Sequence, residues 1–199
     1  MLITNAEIYD LNSGFVHGSL LIRNGIIERI FNGELIPEGL CGEERLDAGG
    51  DYLIPGLVDV HFHGAAGEDF SDATLTGLQK IAAYEAQNGI TAICPASMTL
   101  PEEKLTEICC TAKLFQERQD RPVAKLVGIH LEGPFISPKK TGAQNPDYVK
   151  LPDPAMFRRL QEAAGGLVRL ITIAPECEGG LDFIREFHEE VHISLGHTV

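Results

Sequence analysis

From Leu53 onward the sequence alternates apolar, β-rich runs with amphipathic segments, and this rhythm constrains the fold more than any other feature. The apolar runs fall at 53–61, 90–95, 124–131, 168–174 and 191–197. Between the first two, Leu75, Leu78, Ile81, Ala82 and Ala86 recur at helical spacing within 72–88. Ser71 or Asp72 stands where an N-cap is needed, and Gly89 where a left-handed C-terminal glycine belongs. A second helix is predicted over 101–118, opened by Pro101 and burying Leu105, Ile108, Cys109, Ala112 and Phe115. Shorter helices are predicted near 154–164 and 180–189. Repeated strand–helix–strand units with near-continuous apolar strands predict a parallel sheet in an α/β fold. Five such strands fit either an open doubly wound sheet or part of a closed barrel, and periodicity does not separate the two. The rhythm breaks at about 133–153, a Gly- and Pro-rich stretch; a loop of that length inside a compact domain is usually functional.

Residues 1–52 have a different texture and form a separate N-terminal segment of short strands, with 53–199 as the second region. Within Leu20–Ile30, Asn24-Gly25 readily supplies the two positive φ angles of a type I′ hairpin turn. Asn32-Gly33 and Ala48-Gly49-Gly50-Asp51 mark two further turns.

Charge and cysteine usage narrow the function classes. With 16 Lys and Arg against 29 Asp and Glu, the formal net charge is −13, which argues against electrostatic binding to nucleic acid or an anionic membrane. It is no barrier to a small phosphorylated ligand held in a locally positive site. No apolar run approaches a membrane span, and the N-terminus lacks the basic and apolar regions of a signal peptide. Five cysteines without Cys-x-x-Cys spacing read as reduced, mostly buried thiols of a cytoplasmic protein.

The polar candidates gather at the C-terminal ends of the strands, where parallel α/β folds carry their chemistry. His61-Phe62-His63 closes the first run; on a strand, residues two apart share a face, so two imidazoles project together. Such a pair suits several transition metals and names none. Asp59 shares their face and is placed either to orient an imidazole or to bond a turn. Glu132 ends the third run before Gly133-Pro134 and is placed as a carboxylate ligand, while His130, one layer deeper, reads as a core histidine bonded to backbone. His197 ends the fifth run after Gly196, which permits close backbone approach. Glu176 reads as a loop carboxylate, and His17, His188 and His192 as structural or exposed. No phosphate-binding glycine loop is present.

Pro55 to Gly64 resembles the first-strand motif of the amidohydrolase superfamily. His130-Leu131-Glu132-Gly133-Pro134-Phe135-Ile136, followed by Lys139 to Pro146, Ile173-Ala174-Pro175-Glu176 and Ser194 to Thr198, narrows the resemblance to the N-acetylglucosamine-6-phosphate deacetylases. The resemblance covers the whole chain. It implies a (β/α)8 barrel of the TIM type, here carried to about the fifth strand, with a small β-sandwich part built from residues 1–52. It implies hydrolysis of the acetamide of N-acetylglucosamine 6-phosphate, and a divalent metal, zinc or iron, at one or two sites. Glu132 and His197 would be metal ligands, joined by a sixth-strand His, with His61 and His63 as the arm of a second metal. Gly142, Ala143 and Gln144 would contact substrate; some family members carry His where this chain has Gln144. The base toward water, and then acid toward the leaving amine, would be an eighth-strand Asp beyond Val199. On this reading the chain is a fragment, inactive alone, of a protein that is a homodimer at full length.

Two alternatives stand beside it. One is another amidohydrolase, acting on a cyclic amide or an N-acyl amino acid. The other is a non-catalytic remnant that binds metal or sugar phosphate.

Overall fold

In a computed structural model, described for residues 1–33, 38–40, 42–119 and 122–199, the chain divides into two compact units, Met1–Pro55 and Gly56–Val199.

The first unit is a five-stranded sheet. Strands β1 (Leu2–Asp10), β2 (Gly14–Arg23) and β3 (Ile26–Asn32) form an antiparallel meander, and β4 (Arg45–Asp47) and β5 (Tyr52–Leu53) run parallel to β1 along its free edge. Asn24 (φ 52°) and Gly25 (φ 74°) form the predicted turn between β2 and β3, both in the left-handed region that matches the twist of the strands. Side chains alternate faces, so Leu20 joins Ile3, Ala6 and Ile8 in one cluster while Leu21 joins Leu2 and Phe31 in another.

The second unit is parallel α/β. Its elements in chain order are β6 (Leu57–Asp59), the β7–β8 hairpin (Gly64–Ala65 and Glu68–Asp69), α1 (Leu75–Gln87), β9 (Ile90–Ile93), β10 (Ala96–Ser97), α2 (Glu102–Arg118), β11 (Lys125–Leu126), β12 (Ile129–Glu132), α3 (Pro154–Ala163), β13 (Val168–Ile173), α4 (Gly180–Phe187) and β14 (His192–Leu195). One sheet runs β11-β9-β6 and the other β10-β12-β13-β14, with every pairing in both parallel. Because β9 leads into β10 and β11 into β12, the five apolar runs lie side by side in sequence order. A doubly wound sheet reverses direction at a switch point; this order does not. The described strands form no closed barrel.

The core lies between the sheets and helices. Leu78 and Ala82 of α1, Leu105, Ile108, Cys109, Ala112 and Phe115 of α2, and Phe157 and Leu160 of α3 pack against Ile93, Leu126, Ile129, Leu131 and Ile171. Fully burying each Leu, Ile or Phe is worth about 1.5–3 kcal/mol. Phe157, Phe183 and Phe187 meet with ring centroids 4.5–5.4 Å apart. Cys94 and Cys109 are buried free thiols whose pKa burial pushes up to about 12, which makes them inert packing groups; Cys41 lies outside the described residues.

Two predicted elements differ. The run 53–61 is not one strand: Leu53 pairs with Ile8, Pro55-Gly56 interrupts, and β6 covers only Leu57–Asp59. Nor is that strand buried, since Val58 is 59% exposed: β9 flanks β6, and no described strand lies on its other side. Helix α1 is capped by Thr74, whose hydroxyl accepts the Gly77 N–H, because Phe70–Asp72 forms a separate 3-10 turn capped by Asp69.

Candidate metal centre

His61 and His63 lie just beyond β6 rather than on it. Asp59 Oδ1 accepts the His61 backbone N–H at 3.0 Å, so Asp59 bonds the turn and leaves the imidazoles to other partners. Phe62 O accepts from Ala96 N, which pins the segment to β10.

His63 Nδ1 lies 3.0 Å from Ala96 O, and His197 Nδ1 lies 2.8 Å from Lys140 O. A carbonyl oxygen only accepts, so both Nδ1 atoms carry a proton, and Nε2 is the atom that either donates a second proton or offers a lone pair. Those Nε2 atoms face Glu132: His63 at 3.1 Å from Oε2 and His197 at 3.2 Å from Oε1. His61 Nε2 stands 3.6 Å from Oε1. Three imidazoles therefore converge on one carboxylate, a buried residue at the end of β12. Lone pairs cannot face carboxylate oxygens at these distances without a cation among them, either protons on the rings or a metal.

The electrostatics match. Burial by itself would raise the Glu132 carboxyl, but hydrogen bonds from His63 and His197, with the fields of His61 and His63, outweigh it and hold it at about 2. The hydrogen bond to Glu132 raises His63 above the usual histidine value against the opposing effect of burial. His61, His63 and Glu132 each offer a ligand atom within 4.8 Å of the others, and His197 Nε2 lies beside Glu132 Oε1. The donors are imidazole and carboxylate, each imidazole of the His63 and His197 pair oriented by a backbone carbonyl, as ligating histidines commonly are. The donor set fits a divalent metal.

Around these donors lies an open cleft of about 460 Å³, lined by His61, His130, Glu132, Thr172, Ser194 and His197 among others. His130 is more than a core histidine bonded to backbone: its Nδ1 meets His61 Nδ1 at 3.1 Å and its Nε2 meets Thr172 Oγ1 at 2.8 Å. Burial, and secondarily His61, push its pKa down to about 4.

The 133–153 loop folds back onto the site. Gly142 adopts a left-handed φ of 57°, and a Cβ there would crowd His197 Cε1 at 3.3 Å. Ala143 is exposed beside it. Gln144, expected at the substrate, is only 4% exposed and has both ends of its amide bonded to protein: Oε1 accepts Thr99 N and Nε2 donates to Glu132 Oε2, each at 2.6 Å. Gly133 (φ 91°) must be glycine, because a Cβ would collide with Thr99 Oγ1, which donates to Glu132 O. Glu176 accepts from Thr198 and from Val199 N, bracing the segment that carries His197. His17 pairs with Glu7 and His188 with the Arg185 carbonyl, and both are exposed.

Thr99 and Thr172 are site residues that the sequence pattern does not single out. Thr172 carries a usable signal, a lone hydroxyl inside the apolar run Leu170-Ile171-Thr172-Ile173, one strand across from Glu132. Thr99 carries none, because its role depends on where the 133–153 loop returns.

Parallel strands in sequential order, with a His-x-His segment and a Glu at their C-terminal ends, agree with the arrangement that the resemblance to the amidohydrolase superfamily implies. No family model matches the chain. It is 30% identical over 201 residues to the N-acetylglucosamine-6-phosphate deacetylase of Bacillus subtilis, a match covering 100% of this chain and 50% of that protein. It is 31% identical over 182 residues to the N-acetylgalactosamine-6-phosphate deacetylase of Escherichia coli, covering 90% of this chain and 45% of that one. The crystal structure of N-acetyl-D-glucosamine-6-phosphate deacetylase from Mycobacterium smegmatis superposes with a TM-score of 0.85 at 29% identity, covering 100% of this chain and 50% of that one. Its curated and solved-structure neighbours are N-acetylglucosamine-6-phosphate deacetylases, and the chain matches their N-terminal half. It spans about half the length of the curated relatives it matches.

Proposed function

We propose that this site holds zinc or iron, at one or two positions, and serves hydrolysis of N-acetylglucosamine 6-phosphate to glucosamine 6-phosphate and acetate in a protein of the relatives' full length. The observation that carries the reading is the convergence of His61, His63 and His197 on the Glu132 carboxylate. Glu132 and His197 would hold one metal, and His61 and His63 the arm of a second. A metal bound there would lower the pKa of water and polarise the amide carbonyl. The chain's own residues do the rest of what this half supplies. Ala96 O and Lys140 O fix the Nδ1–H side of His63 and His197, so that Nε2 is the atom each ring presents to a metal. Glu132, held ionised, supplies negative charge where the cleft would otherwise be dominated by imidazoles. The exposed Gly142-Ala143 turn offers backbone to a sugar ring lying over His197.

The five sequential strands fit the first part of a (β/α)8 barrel, and the N-terminal sheet fits part of a β-sandwich. The full-length protein is proposed as a cytoplasmic homodimer acting on a small amino-sugar phosphate.

A second reading is favoured by the match to an N-acetylgalactosamine-6-phosphate deacetylase, whose 31% identity is on a par with that of the N-acetylglucosamine-6-phosphate enzymes. The two sugars differ only in the configuration of one hydroxyl, so the same metal centre serves either. The test is acetate release by the metal-loaded full-length protein from each 6-phosphate, from unphosphorylated N-acetylglucosamine, and against dihydroorotate as a cyclic amide. Acetate from the gluco 6-phosphate in preference to the others supports the first reading, and preference for the galacto epimer the second. Ring opening of dihydroorotate without acetate release overturns both.

A further inference from the structure

We propose that Gln144 is a positioning residue of the metal centre, fixing which oxygen of Glu132 faces which histidine; this rests on the metal-centre reading above. The resemblance assigned Gln144 to substrate, yet its amide has no free end. Its carbonyl oxygen accepts the Thr99 backbone N–H at 2.6 Å, and its Nε2 donates to Glu132 Oε2 at 2.6 Å. Thr99 in turn donates its hydroxyl to the Glu132 carbonyl at 3.0 Å. Gln144 and Thr99 therefore grip Glu132 at its side chain and its backbone, and the whole assembly is buried: Thr99 is 1% exposed, Gln144 4% and Glu132 8%.

The geometry is asymmetric in a way that matters for ligation. Oε2 is shared by Gln144 and His63, whereas Oε1 faces His61 and His197 and accepts no amide. An oxygen already accepting a short amide hydrogen bond has less lone-pair capacity left for a cation. Gln144 thus favours ligation through Oε1 and holds the carboxylate plane against rotation. A neutral amide suits this task, because it supplies a donor to a carboxylate without adding charge to the site.

The test uses the protein at the relatives' full length, with cobalt(II) as a spectroscopic probe and zinc for affinity by chelator competition. In Gln144→Leu, which keeps the volume and removes both bonds, zinc affinity should fall at least about 10-fold, the range expected for loss of a partner that orients a ligand. The visible cobalt spectrum should change shape as Glu132 turns. Gln144→His, with one donor and one acceptor, should recover part of both. A Leu variant with unchanged affinity and spectrum overturns the proposal while leaving the metal centre standing. If the unmutated full-length protein takes up neither metal, the metal-centre reading falls and this inference with it. The unmutated protein also answers without any substitution, by NMR of the Gln144 side-chain amide. Amide protons protected from solvent exchange that shift when zinc is added support the tie. Protons exchanging as fast as those of a solvent-exposed glutamine and indifferent to zinc overturn it.

Discussion

His61 and His130 meet Nδ1 to Nδ1 at 3.1 Å, so a single proton lies between a ring at the mouth of the cleft and a ring 3% exposed. Thr172 Oγ1 holds the far side of His130 at 2.8 Å. The orientation of His61 is thus set from below by a buried side-chain pair, whereas His63 and His197 are set by backbone carbonyls. Sequence-local contacts fix none of the three; each depends on a neighbouring strand or the long loop.

The buried ring gives the chain a characteristic acid sensitivity. His130 has a folded-state pKa of about 4, against an ordinary value near 6.5. Between these values the unfolded chain binds a proton that the folded chain does not, so stability falls as pH drops through that window. The contribution is at most about 3 kcal/mol, because each pH unit separating the two values is worth about 1.4 kcal/mol. Denaturant unfolding of the chelator-treated chain should show a midpoint that declines from pH 6.5 to 4, and His130→Phe should flatten that decline. An unchanged slope in the variant would remove His130 as its source.

Proton release on metal binding follows from His63. Its pKa is raised, first by the hydrogen bond to Glu132, so the ring holds its proton to higher pH than a free histidine does. A metal ligand must be deprotonated, and binding therefore expels that proton. Zinc affinity should fall as pH is lowered through neutrality, by up to about 10-fold per unit for each proton displaced. Calorimetry in buffers of differing ionisation enthalpy should give a positive proton count near neutral pH. A heat independent of buffer would mean that His63 does not ligate.

Glu132 is where the three imidazoles converge, and Glu132→Gln tests that convergence with little change of volume. The variant removes the charge and sets an amide against Gln144 and the histidines. Zinc affinity should drop by more than the roughly 10–100-fold typical of an outer partner, because the ligand itself is lost. The folded state should survive, since the carboxylate serves the site rather than the apolar core. Chelator competition together with a thermal melt separates the two effects.

Much of this architecture is legible in the sequence, and the gaps have physical causes. Periodicity locates α1 through α4 because their buried faces are continuous apolar stripes packed on one core. Asn24-Gly25 is readable because its turn is a local φ preference. The cap of α1 is misplaced from sequence because Ser71, Asp72 and Thr74 are all capping residue types, and only the 3-10 turn Phe70–Asp72 selects Thr74. The run 53–61 suggests a continuous strand, since apolar character alone does not reveal that Pro55-Gly56 separates two pairings. His61, His63, Glu132 and His197 are identifiable from their strand-end positions. The roles of Gln144, Thr99 and His130 are not, because each follows from a contact between segments more than 30 residues apart, apart from the short span between Gln144 and Glu132.

Gly142 provides the sharpest test of how the long loop supports the centre. Its φ of 57° lies in the left-handed region, and a Cβ would press on His197 Cε1 at 3.3 Å. Gly142→Ala therefore adds backbone strain of about 1–2 kcal/mol and pushes on the one ring that Lys140 O orients. Two readouts should move together: a lowered denaturation midpoint and weaker zinc retention. Gly165 is the control, because it shares the left-handed conformation (φ 62°) and lies against the flexible Lys113 side chain. Gly165→Ala should lower stability by a similar amount while leaving zinc retention unchanged. Equal loss of zinc in both variants would assign the effect to global destabilisation instead of to His197.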